Sequence, residues 1–195
     1  IAKKDMQYCK KLKLNRHMKE LYGDCLQDYG GELNPKDDFY QFVPEIADIE
    51  ISAMTSRAAV IVITRGTTEG ADHRTGEGDY LLSARETELI ERVSEVFHAA
   101  GKTVIVLLNA ANPIEVVSWR GKVDAILLIG LPGTNAGSAV ANVISGAVSP
   151  SGKLNDTFPV KYSDVPGSEY FPGNATATLY YEDIFVGYRY YETFG

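Results

Sequence analysis

The sequence predicts an α/β fold, with a mostly parallel sheet covered by helices on both faces. Two observations carry this. Three short runs, Ala59–Thr64 ("AVIVIT"), Thr103–Asn109 ("TVIVLLN") and Ala125–Gly130 ("AILLIG"), are apolar at consecutive positions rather than alternating. That pattern belongs to strands buried on both faces. Helical patterns lie between and after them, and a strand–helix–strand–helix order implies right-handed crossovers and parallel strands.

The helical segments have recognisable ends. Ser83-Ala-Arg-Glu86 is a capping box, with the Ser hydroxyl and the Glu carboxylate each satisfying an orphan amide. Leu89, Ile90, Val93, Val96 and Phe97 then recur at helical spacing, and Gly101 supplies the stop. A shorter helix is expected after Pro113, through Ile114, Val117 and Trp119. A third starts near Thr134 and runs through Ala139, Val140, Val143 and Ile144 to Gly146. Upstream, Leu12 to Tyr29 reads as a helix ending at Gly30-Gly31, whereas residues 32–50 are ambiguous. Turn residues dominate from Leu154 onward, and Asp183–Tyr191 ("DIFVGYRYY") is aromatic and β-prone. The expected division is an α/β domain over 1–160 and, over 161–195, an extension that wraps the core or leads to another module.

Composition narrows the partners. Nineteen basic and 26 acidic side chains give a net charge of −7, which disfavours nucleic acid and anionic membrane. The basic run Lys10–Lys13 reads as part of a solvated helix face. No apolar run reaches the roughly 18 residues of a spanning helix. No signal peptide is visible. Cys9 and Cys25 form no disulfide framework and fit a reducing compartment, so a cytoplasmic location is expected. The chain opens at Ile and closes on "YYETFG", so a piece of a longer protein is expected.

Most motif chemistry fails on spacing. "GAVSPSGKL" has Leu where a phosphate loop needs Ser or Thr, and "GLPGTNAG" is not a dinucleotide fingerprint. A nucleotide-binding domain would require one of these. His17, His73 and His98 have no ligand spacing, so neither a metal nor a cofactor is expected, and His98 reads as structural. There is no nucleophile elbow. The sequons at Asn155 and Asn174 are short enough to arise by chance.

One stretch survives. After the first apolar run, "VIVITRGTTEGADHRTGEGDYLL" places Glu69, Asp72, His73, Glu77 and Asp79 among glycines, at the carboxyl end of a strand. Ligands of open parallel sheets bind beyond such ends. Carboxylates there can act as general acid, general base or acceptor for sugar hydroxyls. On spacing alone, a solvated acidic loop leading into a helix is the simpler reading.

The stretch from Val60 to Trp119, together with "GLPGTNAGSAVANVISGAVSPSGKLNDTFPVKYSDVP", resembles the second domain of family 3 glycoside hydrolases, the β-glucosidase group. The closing "YYEDIFVGYRYYETFG" resembles the segment leading to that family's fibronectin-like domain. The likeness spans about residues 55–195, and 1–54 match poorly. It implies a three-layer α/β/α sandwich of flavodoxin-like type. In the family, the strand ends in Arg and leads to a loop reading roughly S-G-E-G-x-D-R, whose Glu is the general acid/base. Aligned here, the catalytic position falls on Glu69, with Arg65, Asp72, His73 and Arg74 in substrate-binding or loop-supporting roles. The later "GEG" is a decoy: Gly78–Leu82 matches the family's "GDYxL", leaving Glu77 in a linker and Asp79 in loop structure. There are departures. Thr67-Thr68 replace Ser-Gly, His73 stands for Arg, "PGTNAG" lacks the family's Gln and Glu, and Asn142 stands where Asp is common.

The resemblance further implies a retaining β-glycosidase whose nucleophile, an Asp, lies on an N-terminal barrel domain in cis. The expected ligand of the intact enzyme is a β-linked oligosaccharide or glycoside, and this chain alone should be inactive. The alternative is a non-catalytic carbohydrate-binding or interaction domain that keeps the fold.

Overall fold

The computed structural model describes residues 43–66 and 72–195. The helix expected over Leu12–Tyr29 and the loop residue Glu69 lie outside these residues.

Among the described residues three parallel strands stand in the order β1–β2–β3: β1 Ala58–Thr64, β2 Thr103–Asn109 and β3 Ala125–Leu128. The register sets Ile61 beside Val106 and Val106 beside Ile126. Helix α1, Ile46–Thr55, precedes β1, and α2, Ala84–Ala99, connects β1 to β2. Helix α3, Ala136–Ile144, follows β3, and α4, Tyr188–Phe194, lies near the chain end. The chain is α/β, a parallel sheet with flanking helices.

Side-chain alternation divides the sheet into two unequal faces. Ile61, Ile63, Val104, Val106 and Leu108 point one way and join Ile49 and Ala53 of α1 and Leu89, Ile90, Val93 and Phe97 of α2 in one buried cluster. The other face is less evenly covered: Leu107 is buried, but Val60 is 42% exposed. The continuous apolar run of β1 predicts burial on both sides. The described helices α1 and α2 cover only the side of Ile61 and Ile63.

Local chemistry explains the elements. Ser83 caps α2 through a complete capping box, and Gly101 leaves it at φ 68°, a left-handed angle that glycine adopts without strain. Ile49 and Ala53, four residues apart, turn one face of α1 to the core, and Lys102 Nζ donates to the Ala53 carbonyl, tying α1 to the start of β2.

Two elements depart from the sequence reading. After Pro113 there is no α-helix, only turns and a 3-10 turn at Arg120–Lys122. Ile114, Val116 and Val117 are β-branched and poor helix formers. The Glu115 carboxylate also accepts from the Ser118 amide and hydroxyl (2.7 and 2.6 Å), a local alternative to helix. Trp119 still reaches the core, and its indole N–H donates to the Glu115 carbonyl at 2.8 Å. The β-prone tail is likewise not strand: Tyr188–Phe194 is helical, with Phe185 and Tyr190 packed on Phe194 at centroid separations of 5.0 and 5.3 Å. β-propensity measures fit to a sheet, and these residues pair with no strand. Phe158 packs against the buried cluster, and Tyr162 meets the Tyr80 ring edge-on at 5.6 Å.

At the opposite end of the sheet, the Asp124 carboxylate accepts from the Val104 amide (2.7 Å) and faces His98 Nε2 (2.9 Å). The amide bond first, and the imidazole second, hold the Asp124 pKa below its ordinary 3.8. A depressed native pKa stabilises the fold above the unfolded value, and that stabilisation disappears as pH falls through the lowered one. Asp124→Asn is therefore expected to lower the unfolding temperature at pH 7, with the gap from the parent sequence closing in acid. Thermal unfolding across pH checks this; a gap that persists through protonation of Asp124 would contradict it.

No helix among the described residues is long and apolar enough to cross a membrane.

Candidate active site

The carboxyl ends of the strands are locked together. The Arg65 amide donates to the Asn109 carbonyl at 3.0 Å, and Asn109 Nδ2 donates to the Gly130 carbonyl at 2.6 Å. The loop bearing the candidate residues leaves from this edge.

Arg65 is buried, and its side chain is consumed within the protein. Nε donates to the Asp79 carbonyl (2.5 Å). One terminal nitrogen donates to the Thr64 carbonyl (2.8 Å) and Glu86 Oε1 (2.6 Å), the other to the Leu81 carbonyl (3.2 Å) and Glu86 Oε2 (3.0 Å). These five bonds match the five donors of a guanidinium. Arg65 therefore supports the loop and has no donor left for a substrate. Glu86 serves twice, since Oε2 accepts both from Arg65 and from the Ser83 amide (2.8 Å) that opens α2.

Asp79 organises the returning limb. Its carboxylate pairs with His73 Nδ1 and accepts the Arg74 backbone N–H at 2.6 Å. The Tyr80 amide donates to the Arg74 carbonyl (3.3 Å) and the Leu81 amide to the Gly76 carbonyl (3.0 Å). Gly78 takes φ 77°, which lets the chain double back. Asp72, Arg74 and Glu77 are exposed. Of the sequence-derived site residues, then, Arg65, His73 and the Arg74 amide meet at Asp79, whereas Asp72 and Arg74 are exposed.

Sequence reasoning placed Asp79 in loop structure and Glu86 in the capping box, but missed the link from Glu86 to Arg65. The two lie 21 positions apart on different elements, so no spacing rule exposes the pair. Tyr80 was absorbed into a motif. Its phenol is pushed above its ordinary pKa, mainly by burial and then by the nearby Glu115 carboxylate. Among the described residues, no three of His, Cys, Asp and Glu are grouped so as to hold a metal ion. A groove lined by Ile46, Met54, Arg92, Val96, Ala99 and Lys102 lies toward the other end of α2, away from this loop.

Residues 12–188 match the glycosyl hydrolase family 3 C-terminal domain. The chain belongs to that family. The match reaches further upstream than the motifs, which begin near residue 55. This family 3 domain superimposes on the structure of β-glucosidase 3B from Thermotoga neapolitana, determined in complex with α-D-glucose, with a TM-score of 0.83 and 43% identity. The overlap covers 94% of this chain and 27% of that one. Thermostable β-glucosidase B of Acetivibrio thermocellus is 46% identical over 114 residues, 58% of this chain and 14% of that protein. An exo-α-(1→6)-L-arabinopyranosidase of Bifidobacterium breve is 37% identical over 139 residues, 71% of this chain and 18% of that protein. The family 3 domain thus spans less than a fifth of the length of either of these two curated relatives.

Proposed function

We propose that this family 3 domain supplies the general acid/base, Glu69, to a retaining β-glycosidase of which it is one part, and that it is inactive alone. The substrate class is a glycoside or oligosaccharide with a terminal β-linked sugar. The observation that carries the reading is the state of the carboxylates fixed at the base of the loop. Asp79 is paired with His73 and Glu86 with Arg65, so neither is free to attack a sugar. Retention needs a nucleophilic carboxylate roughly 5–5.5 Å from the acid/base. Such a nucleophile would come from another domain, in keeping with the barrel Asp that the family likeness implies.

In this scheme the nucleophile's oxygen bonds to the anomeric carbon as the glycosidic C–O bond breaks. Glu69 gives its proton to the departing oxygen. The resulting Glu69 carboxylate then takes a proton from water, whose oxygen displaces the nucleophile and restores the β-configured sugar. Such an acid needs a pKa lifted toward the working pH. Burial against the other domain and the nucleophile's negative charge would provide that in the intact enzyme. The relatives' names differ in the sugar and the linkage, a β-glucoside or an α-(1→6)-L-arabinopyranoside, so family membership does not by itself fix which sugar is cleaved.

The test compares the purified chain with the intact parent on aryl β-glucoside and aryl β-xyloside. Turnover is expected from the parent only. Substantial turnover by the chain, abolished by Glu69→Gln, would show a complete site here and overturn the division of labour.

A further inference from the structure

We propose that Asp79 is a positioning residue for the acid/base loop, tying Arg65, which precedes it, to His73 and Arg74, which follow it. The inference rests on the assignment of Glu69 made above.

Both limbs of the loop converge on this residue. On the outgoing side, Arg65 donates through Nε to the Asp79 carbonyl at 2.5 Å, and Glu86 holds the far face of the guanidinium. On the returning side, the Asp79 carboxylate takes His73 Nδ1 and the Arg74 backbone N–H. One residue therefore uses its main chain for one limb and its side chain for the other. Without the carboxylate, the returning limb loses its ties at 73 and 74, and the stretch of chain between fixed points lengthens. His73 and Asp79 side chains keep 28% and 25% of their exposure, so this link is a tether at the surface and not part of the core. Loop geometry matters here because proton transfer requires hydrogen-bond distance, and a displacement of about 1 Å can lower a rate about a hundredfold.

A tether for the proton donor has a signature that a merely structural residue lacks. In the intact parent enzyme, Asp79→Ala is expected to lower kcat/KM for an alkyl β-glucoside about a hundredfold. For a dinitrophenyl β-glucoside, whose leaving group needs little protonation, kcat/KM should fall about threefold or less. Asp79→Asn keeps an acceptor for the Arg74 N–H but not the charge facing His73, and should fall between Asp79→Ala and the unsubstituted enzyme on the alkyl substrate. If Asp79→Ala does not fold, Asp79→Asn carries the test. Glu69→Gln is measured beside them. If Glu69→Gln shows the leaving-group split and the Asp79 variants lower both substrates equally, or neither, the positioning role is overturned. If Glu69→Gln itself shows no split, the acid/base assignment fails and this inference fails with it.

Discussion

Replacing Arg65 with methionine is expected to destabilise the fold by about 3–5 kcal/mol, the usual effect of breaking a buried ion pair by removing one partner. The side chains of Arg65 and Glu86 are only 4% and 6% exposed. Methionine fills much of the aliphatic volume but donates nothing. The Glu86 carboxylate would then keep only the Ser83 amide, and the carbonyls of Asp79 and Leu81 would lose their Arg65 donors. Glu86→Gln should do less damage, about 1–3 kcal/mol, because an amide oxygen can still accept from Ser83 or Arg65. The double variant Arg65→Met, Glu86→Gln should lose less than the sum of the two, since the residues share one network. Urea unfolding of the three variants measures all of this. An Arg65→Met loss below about 1 kcal/mol, within the range of an exposed pair, would show that the clamp contributes little.

What was legible in the sequence was local. Continuous apolar runs located all three described strands, because strands of a parallel sheet read as runs of consecutive apolar residues. The box at Ser83 and Glu86 located the start of α2, because a cap is written within four residues. The segment after Pro113 was misread because Ile114, Val117 and Trp119 mimic a helical stripe. Its backbone follows the Glu115–Ser118 hydrogen bonds instead. The α1 helix was ambiguous because its buried stripe, Ile49, Ser52 and Ala53, is short and partly polar. At the site, the ionisable residues were found, but their division of labour was not. Whether Arg65 faces a ligand or the protein depends on Glu86, Asp79, Thr64 and Leu81 arriving together, and only the fold shows that.

Glu69→Gln in the intact parent enzyme is expected to lower kcat/KM for an alkyl β-glucoside about 10²- to 10⁴-fold, the range of a lost general acid. A dinitrophenyl β-glucoside should suffer far less in its first step. Its second step still needs a base, so the covalent sugar–enzyme intermediate should accumulate. Azide needs no proton removed, and should attack the anomeric carbon, displace the enzyme carboxylate and release a β-glycosyl azide. Glu77→Gln should do none of this, since Glu77 is exposed in the linker. The decisive measurement is mass spectrometry of the trapped intermediate with azide rescue, run on both variants. The account predicts accumulation and rescue for Glu69→Gln and near-normal turnover for Glu77→Gln; rescue at Glu77 with normal rates at Glu69 would contradict it.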